Sequence, residues 1–252
     1  AECFEPLGKA LESNKKTVAG VIIEPLVQGA IGMKMYPPTY LKKLEKACEN
    51  YKTHTIYDEV AVGFGRTGAL FVCENHGLKP TFLCLSKGIT SGYLPLAVTM
   101  TNDEVFQAFY DEPLSMKLFI HSHSYSANPL ACACANETLA MLTKTNFLQN
   151  LKPRITFLEE MGNKMRELKW CGEYRQTGMI AAVELVKNKK TKDTFPLKDR
   201  VGQKIYLEGL KRGVFMRPLA DTIYFIPPLI ISNEEIKTMI DVAYKSIKAV
   251  LD

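Results

Sequence analysis

The sequence predicts an α/β fold, in which a mainly parallel sheet with helices on both faces is followed by a smaller α+β domain. Two observations predict it. In the first half, apolar runs of strand length alternate with segments of helical periodicity, which is the pattern of a parallel sheet. In the second half, a long charged amphipathic helix is followed by strands and helices in mixed order. We therefore assign residues 1–143 to part of a large sheet domain and residues 144–252 to a small C-terminal domain.

Four strands and three helices are predicted in the first half. Val18–Glu24 is a continuous apolar run, typical of a strand that is covered on both faces. Further strands are predicted at Thr53–Val60, which ends in acids, at Thr81–Ser86 and at Leu94–Thr101. Pro37–Glu49 carries apolar residues at helical spacing behind an opening proline. Asn102–Tyr110 begins with Asn102 as a cap candidate, and Asn128–Thr143 is alanine-rich with Pro129 in its first turn.

The second half begins with a charged helix predicted over Phe147–Leu168. Shorter apolar runs then predict strands at Met179–Val186, Val214–Pro218 and Thr222–Ile226. Two further helices are predicted, at Val201–Arg212 and Ser232–Leu251. Ser232 and Glu235 have the spacing of a capping box, which marks the start of the last helix.

The composition excludes several classes of protein. Of the 252 residues, 46% are hydrophobic and 23% are charged, which excludes a disordered or fibrous chain. No run approaches 18 consecutive apolar residues, so we expect no membrane span. The net charge of +5 has no basic stripe with interleaved aromatic residues, so we expect no nucleic-acid partner. Seven cysteines without a visible signal peptide predict reduced thiols and a cytoplasmic protein.

Polar clusters follow four of the predicted elements, where a parallel α/β sheet binds its ligands. They begin at Glu24, Asp58, Ser86 and His121. Asp58 and Glu59 are neighbours on a strand, so their side chains point to opposite faces and cannot act as a paired acid and base. We expect one of them to face the site. A helix cap or a surface ion pair is the alternative interpretation of such an acid.

Lys87 is the most informative single residue. Apolar residues flank it at Phe82–Leu85 and again at 93–98. This flank predicts a desolvated amine with a lowered pKa, which favours Schiff-base chemistry. A lysine and an acid on neighbouring strand ends are the pair that pyridoxal phosphate needs, because the lysine holds the cofactor and the aspartate holds its protonated ring nitrogen.

The polar segment that starts at His121 has several interpretations. His121 and His123 could ligate a metal on a strand, but Cys132 and Cys134 on the next helix lack zinc-site spacing, so we predict no metal. A serine-rich turn directly before a helix is also a phosphate-binding pattern. A polar loop that caps the helix fits the same residues, and the sequence leaves these two interpretations open.

Taken together, these motifs resemble the class III, fold-type I, pyridoxal-phosphate-dependent aminotransferases. The resemblance is carried by Gln28-Gly29, by the run from Asp58 to Gly68 and by Lys87 after a short strand, and it extends from about Thr17 to the C-terminus. It implies that residues 1–143 are the C-terminal part of a domain that binds pyridoxal 5'-phosphate. The other half of the site, including a phosphate loop and an aromatic residue against the ring, is then expected outside this chain.

The resemblance implies roles for four residues around the cofactor. Lys87 would be the Schiff-base lysine and would carry the proton, while Asp58 would pair with the pyridine nitrogen. Val60 would pack against the face of the ring. Ser124 would hold the cofactor phosphate across the interface of a homodimer, so that the two active sites are shared between subunits.

The resemblance also implies a site for small-molecule substrates. Arg217 would bind the carboxylate of a keto acid, a contact that suits a planar guanidinium, and Tyr224 and Arg66 would line the substrate end. Class members that act on ornithine, acetylornithine or γ-aminobutyrate carry arginine at the position of Tyr224, and the first two carry glutamate at Ala30.

Those differences favour the subgroup that aminates 8-amino-7-oxononanoate to 7,8-diaminononanoate in biotin biosynthesis, with S-adenosylmethionine as the amino donor. Lysine remains open as the donor. Two other hypotheses also remain open: another ω-amino-acid aminotransferase of the class, and a non-catalytic dimerisation module.

Overall fold

A computed structural model of the protein describes residues 4–144 and 146–252. Proximity of Cα atoms divides the chain into two compact units. The N-terminal unit contains the residues up to Leu26, Tyr36–Phe64 and residues 69–144. The C-terminal unit contains Val27–Met35, Gly65–Gly68 and Asn146–Asp252. The assignment of residues 1–143 and 144–252 to two functional domains stays a prediction.

The described residues form ten strands and eight α-helices. The strands are β1 Gly20–Ile23, β2 Val27–Gln28, β3 Lys34–Met35, β4 His54–Asp58, β5 Phe82–Leu85, β6 Val98–Thr101, β7 Cys171–Thr177, β8 Ile180–Leu185, β9 Pro218–Leu219 and β10 Thr222–Phe225. The helices are α1 Glu5–Ser13, α2 Pro38–Asn50, α3 Val72–His76, α4 Asp103–Gln107, α5 Pro129–Lys144, α6 Phe147–Asn163, α7 Val201–Lys211 and α8 Asn233–Leu251. None of these helices is long and apolar enough to cross a membrane.

The N-terminal unit is built on a four-stranded sheet in the order β1-β4-β5-β6. Strands β1, β4 and β5 run parallel, while β6 is antiparallel to β5. The prediction of an α/β fold with a mainly parallel sheet is confirmed. β6 is the exception because residues 86–97 form only one short 3-10 turn, Lys87–Thr90, and no α-helix to carry the chain back for a parallel pairing.

Helices α2 and α5 of the N-terminal unit each bury one stripe of residues. Helix α2 buries Leu41, Leu44 and Cys48 at spacings of three and four residues, which is one helical face. Burying a leucine side chain contributes about 2 kcal/mol. Helix α4 begins as the sequence predicts, with the Asn102 side chain accepting a hydrogen bond from the Val105 N–H.

The C-terminal unit is built on an antiparallel sheet in the order β7-β8-β10-β9. In β8, Ile180–Val183 are all buried, so both faces of this strand are covered, and α6, α7 and α8 contribute to the same core. The capping box predicted at Ser232 and Glu235 is present at the start of α8. This arrangement is the α+β organisation that the second half of the sequence predicts.

Three local predictions for the second half differ from the structure. The helix predicted to reach Leu168 ends as α6 at Asn163 and continues as a 3-10 turn, Lys164–Glu167. A strand over Val214–Pro218 is wrong except at its last residue, because β9 begins at Pro218 and pairs over only two residues with β10. Strand β7 was not predicted, because its sequence is mostly polar.

Candidate active site

Asp58 and Lys87 lie at the carboxyl ends of neighbouring parallel strands in the N-terminal unit. Asp58 is the last residue of β4 and stands opposite Cys84 of β5. Lys87 begins the 3-10 turn that directly follows β5. The structure thus brings the two residues to the same edge of the sheet, which is where a parallel sheet binds its ligands.

The carboxylate of Asp58 is held in one orientation by its own main chain. Asp58 is half-buried, and its Oδ1 accepts a hydrogen bond of 3.0 Å from the N–H of Val60. No other group in residues 4–144 or 146–252 donates a hydrogen bond to this carboxylate. Asp58 can therefore offer an oxygen to a protonated nitrogen beyond the strand end. Val60, two residues on, is half-buried beside it.

Lys87 is exposed, which corrects the expectation that its apolar neighbours bury the amine. The reason is local geometry: Phe82–Leu85 lie within the sheet, whereas Lys87 sits on the turn beyond it. Its backbone has a φ of +44°, in the left-handed region. The turn is fixed on its other side, where Ser86 Oγ donates to the Leu96 carbonyl at 2.7 Å.

Ser124 lies in the exposed turn before α5. Hydrogen bonds within that turn join His123 to Ser126, whose N–H donates to the His123 carbonyl at 2.9 Å. The first turn of α5 is capped by Asn128, whose Oδ1 accepts from the N–H groups of Leu130 and Ala131. The polar-loop interpretation therefore has a definite capping residue. The role of Ser124 as a phosphate ligand stays a prediction.

The absence of a metal at the segment that starts at His121 stays a prediction. His121 and His123 are exposed. In the part of the chain that the structure describes, no group of three or more histidine, cysteine or acidic side chains could hold a metal ion.

Arg217 and Tyr224 line one cavity of the C-terminal unit. Its volume is about 570 Å³. The remaining lining is mostly apolar and consists of Gly213, Val214, Phe215, Phe225, Ile226, Pro227, Pro228, Ile231 and Met239. An exposed guanidinium and a phenol at an otherwise apolar cavity suit a carboxylate that carries an apolar chain.

Arg66 supports the wall of this cavity. It belongs to the C-terminal unit, and its Nη1 donates to the carbonyl of Pro227 at 2.5 Å. Its own carbonyl accepts from the N–H of Met179 at 2.9 Å. Burial lowers the pKa of Arg66 to about 10, so the guanidinium remains charged at neutral pH. Arg217 and Tyr224 thus line this cavity, and Arg66 bonds to Pro227 in its wall. Their role at a substrate end stays a prediction.

Two buried charged residues to which the sequence interpretation gave no site role hold short segments of the main chain. Glu59, the residue after Asp58, is fully buried and accepts main-chain hydrogen bonds from Val72 and Cys73. Arg175 of β7 is buried and donates to the carbonyls of Gly32 and Met33. The signal for Glu59 was its position directly after a strand-end acid. No sequence signal marked Arg175, because a charged residue in a polar strand looks solvent-exposed.

Comparison with known proteins gives a consistent result. The family described as aminotransferase class III matches residues 1–247. The adenosylmethionine-8-amino-7-oxononanoate aminotransferase of Geobacter sulfurreducens is 45% identical over 249 residues, covering 99% of this chain and 55% of that protein. The chain therefore spans slightly more than half the length of this relative.

Two crystal structures resemble the chain along its whole length. One is the adenosylmethionine-8-amino-7-oxononanoate aminotransferase of Methanocaldococcus jannaschii, with a TM-score of 0.96 and 38% identity, covering 100% of this chain and 58% of the other. The second is a PLP-bound amine transaminase from an uncultivated Pseudomonas species, with a TM-score of 0.91 and 30% identity, covering 99% and 56% respectively.

Proposed function

This chain belongs to the class III aminotransferases, and we propose that it forms the C-terminal part of one that uses pyridoxal 5'-phosphate. The observation that carries the proposal is the placement of Asp58 and Lys87 on adjacent strand ends of one sheet. The residues fit the cofactor. Asp58 has an oriented carboxylate with an oxygen to spare, and Lys87 presents an exposed amine at the same edge.

When bound, pyridoxal phosphate supplies an electron sink beside the carbon that carries the amino group. Lys87 Nζ would attach the cofactor and later take up and return the proton at that carbon. Asp58 would keep a proton on the ring nitrogen, since a carboxylate stabilises a positive charge beside it. Val60 would support the face of the ring, and Ser124 would donate a hydrogen bond to the phosphate.

For the substrate, we propose 8-amino-7-oxononanoate, the keto acid in the names of the relatives from Geobacter and Methanocaldococcus. Its carboxylate would pair with Arg217, and its methylene chain would lie along the apolar lining of the cavity. Tyr224 and Arg66 would complete the substrate end. The product would be 7,8-diaminononanoate, with S-adenosylmethionine as the amino donor, as the same names indicate.

A second candidate is another amine or ω-amino-acid aminotransferase of the class. The similarity to the amine transaminase from Pseudomonas supports it. Arg217→Ala separates the two hypotheses. Loss of activity toward 8-amino-7-oxononanoate in this variant supports the first candidate, whereas unchanged activity toward that keto acid supports the second.

We also propose that the enzyme is a homodimer with shared active sites. Between residues 106 and 130, the N-terminal unit exposes a run of large apolar side chains: Tyr110, Leu114, Met116, Phe119, Ile120 and Tyr125. Single exposed apolar residues are common, but so many within one short stretch of chain favour a contact surface. Sedimentation analysis tests this, with a dimer expected. The cytoplasmic location stays a prediction from the sequence.

The first experiment tests the cofactor on Lys87. The protein is mixed with pyridoxal phosphate, and its visible absorption band is recorded before and after borohydride, in parallel with Lys87→Ala. Lys52→Ala is the matched control, because Lys52 is also exposed and also has a positive φ, of 51°. We expect a borohydride-sensitive band in the parent and in Lys52→Ala, and none in Lys87→Ala. Equal, weak bands in all three proteins would contradict attachment at Lys87 and support the non-catalytic module.

A further inference from the structure

Glu59 is a buried acid to which the proposed chemistry assigns no role. Its side chain is 0% exposed. Its Oε2 accepts the N–H of Val72 at 2.8 Å, and its Oε1 accepts the N–H of Cys73 at 2.9 Å. Hydrogen bonds to an ionised acceptor are roughly twice as strong as neutral ones. Both carboxylate oxygens are thus used to hold the start of α3.

These bonds close the loop that leads from β4 to α3. The carbonyl of Glu59 also accepts the N–H of Gly63 at 2.9 Å, and the N–H of Phe64 donates to the carbonyl of Leu70 at 2.7 Å. The ring of Phe64 packs edge-on against Phe71, with centroids 5.3 Å apart. Phe64 is 3% exposed. The position of Phe64 is therefore fixed by contacts with both ends of the loop, at Glu59–Gly63 and at Leu70–Phe71.

Phe64 lies directly against the turn that carries Lys87. A Cβ added to Gly88 would be 2.9 Å from the Cβ of Phe64, closer than any real Cβ contact. Gly88 is the residue after Lys87, so only a glycine allows the loop and the turn to approach this closely. The N–H of Glu59 also donates to the carbonyl of Cys84, at 3.0 Å. The loop of Glu59 therefore contacts β5 and its turn on both sides of Lys87.

We propose that Glu59 is a positioning residue, whose carboxylate holds the Phe64 loop against the Gly88 turn and so fixes Lys87 relative to Asp58. The inference rests on the proposed function, because this pair is the one that would hold the cofactor. Among the described residues, Glu59 bonds to Val72 and Cys73 and forms no hydrogen bond with Asp58 or Lys87. Its effect on Lys87 is therefore transmitted through Phe64 and Gly88.

The test variant is Glu59→Gln. Glutamine keeps the shape of the side chain but presents an NH2 group to one of two main-chain donors, so one hydrogen bond is lost. The matched control is Glu45→Gln. Glu45, on α2, is a half-buried carboxylate that also accepts a main-chain N–H, from Lys79 at 2.7 Å. Lys79 lies before β5, at the opposite end of that strand from Lys87.

Two readouts are measured on the full chain. The first is hydrogen exchange of residues 86–92 without cofactor, which we expect to accelerate about tenfold in Glu59→Gln and to stay unchanged in Glu45→Gln. The second is the pH midpoint of the visible band of bound pyridoxal phosphate. We expect it to shift by about one pH unit in Glu59→Gln only, because a displaced Asp58 stabilises the ring nitrogen's positive charge less.

The outcomes separate the inference from the proposed function. Faster exchange at residues 60–73 alone, with residues 86–92 and the band midpoint unchanged, would overturn the positioning role. If the parent shows no borohydride-sensitive band but exchange at residues 86–92 still responds to Glu59→Gln, the proposed cofactor chemistry fails and the positioning of the Lys87 turn stands.

If Glu59→Gln does not fold, Phe64→Leu interrupts the same chain of contacts at its middle, and we expect the same two changes. Unchanged readouts in a folded Phe64→Leu would also overturn the role.

Discussion

Two short segments of the chain are held in place by one buried charged side chain each, but by opposite charges. In the N-terminal unit, the Glu59 carboxylate accepts the N–H groups of Val72 and Cys73 at the start of α3. In the C-terminal unit, the Arg175 guanidinium donates to the carbonyls of Gly32 and Met33 between β2 and β3. An anion suits the free N–H groups of a helix start, whereas a cation suits the carbonyls of a turn.

The two residues differ in how their charge is compensated. Arg175 is 7% exposed and forms ion pairs of 2.6 Å with Glu173 and Glu184. Glu59 has no cationic partner among the residues that the structure describes, and its carboxyl group is held by the main-chain N–H groups of Val72 and Cys73 and by the Cys73 side chain. The comparison indicates that one segment depends on an ionic network, and the other on hydrogen bonds to an isolated acid. Their responses to mutation and to pH should therefore differ.

The largest expected effect is at Arg175. Arg175→Met removes the donors to Gly32 and Met33 and leaves Glu173 and Glu184 without their shared cation. We expect the free energy of unfolding to fall by about 3 kcal/mol, measured by urea denaturation. Arg212→Met is the control, since Arg212 forms only a surface ion pair with Glu208 and should cost less than about 0.5 kcal/mol. Equal losses in the two variants would contradict a special role for Arg175.

Glu59→Gln should have the next largest effect on stability. One buried main-chain donor loses its acceptor, and we expect a loss of about 2 kcal/mol in the same denaturation experiment. Glu45→Gln also loses a carboxylate, but its site is half-exposed, so water can replace the bond to Lys79 and the loss should be about half as large. A smaller loss for Glu59→Gln than for Glu45→Gln would show that the carboxylate charge is dispensable.

The pH dependence of stability should have opposite signs for the two segments. For Glu184, burial raises the pKa, but hydrogen bonds from Lys34 and Arg175 outweigh it and hold the pKa below its ordinary range. Its stabilising effect is thus present above the ordinary glutamate pKa of about 4.3 and is lost as the pH falls through the lower folded value.

For Glu59, burial raises the pKa more than the N–H groups of Cys73 and Val72 lower it. Its contribution is thus full below about pH 4.3 and is lost as the pH rises through the folded value.

Urea unfolding between about pH 3 and about pH 8 measures how the free energy of unfolding changes with pH, and comparison with Glu184→Gln and Glu59→Gln isolates the contribution of each residue. The stability of the parent relative to Glu184→Gln should grow with rising pH, by about 1 kcal/mol in total because the pair is partly screened by solvent. The stability of the parent relative to Glu59→Gln should instead shrink over the same range. If both stability differences, parent minus Glu184→Gln and parent minus Glu59→Gln, changed with pH in the same direction, the predicted difference between the two segments would be wrong.

The smallest expected effect is at Lys34. Its ammonium forms a 2.6 Å ion pair with Glu184, but its side chain is about half-exposed. Lys34→Ala should therefore cost about 0.5 kcal/mol, and less in high salt. A loss as large as that of Arg175→Met would mean that the ion pairs, and not the bonds to Gly32 and Met33, hold the segment.

Much of the fold could be predicted because it is governed by periodicity. The strand predicted at Thr53–Val60 and the helix predicted from the apolar spacing in Pro37–Glu49 match β4 and α2 to within a few residues at each end. Strand β7 was missed because only two of its seven residues, Cys171 and Tyr174, are apolar. The direction of β6 depends on the short connection after β5, and strand periodicity carries no information about direction.

The position of the candidate residues in the fold could be predicted better than their burial and their contacts. Strand ends placed Asp58 and Lys87 at one edge of the sheet, because parallel strands end together. The exposure of Lys87 could not be inferred, since apolar neighbours along the chain need not be neighbours in space. The buried contacts of Glu59 and Arg175 were equally hidden, because each joins residues that lie far apart in the sequence.

The interleaving of the two units in the chain has a practical consequence for cutting the protein into pieces. Val27–Met35 and Gly65–Gly68 belong to the C-terminal unit, although both precede most of the N-terminal unit in the sequence. A fragment that begins at Asn146 would keep Arg175 but lack the carbonyls of Gly32 and Met33 that it binds. It would also lack the Thr67 backbone that lies within van der Waals contact of Gly178. Expression of that half alone should therefore yield a product that aggregates. A circularly permuted or fused design that supplies residues 27–35 should be more soluble.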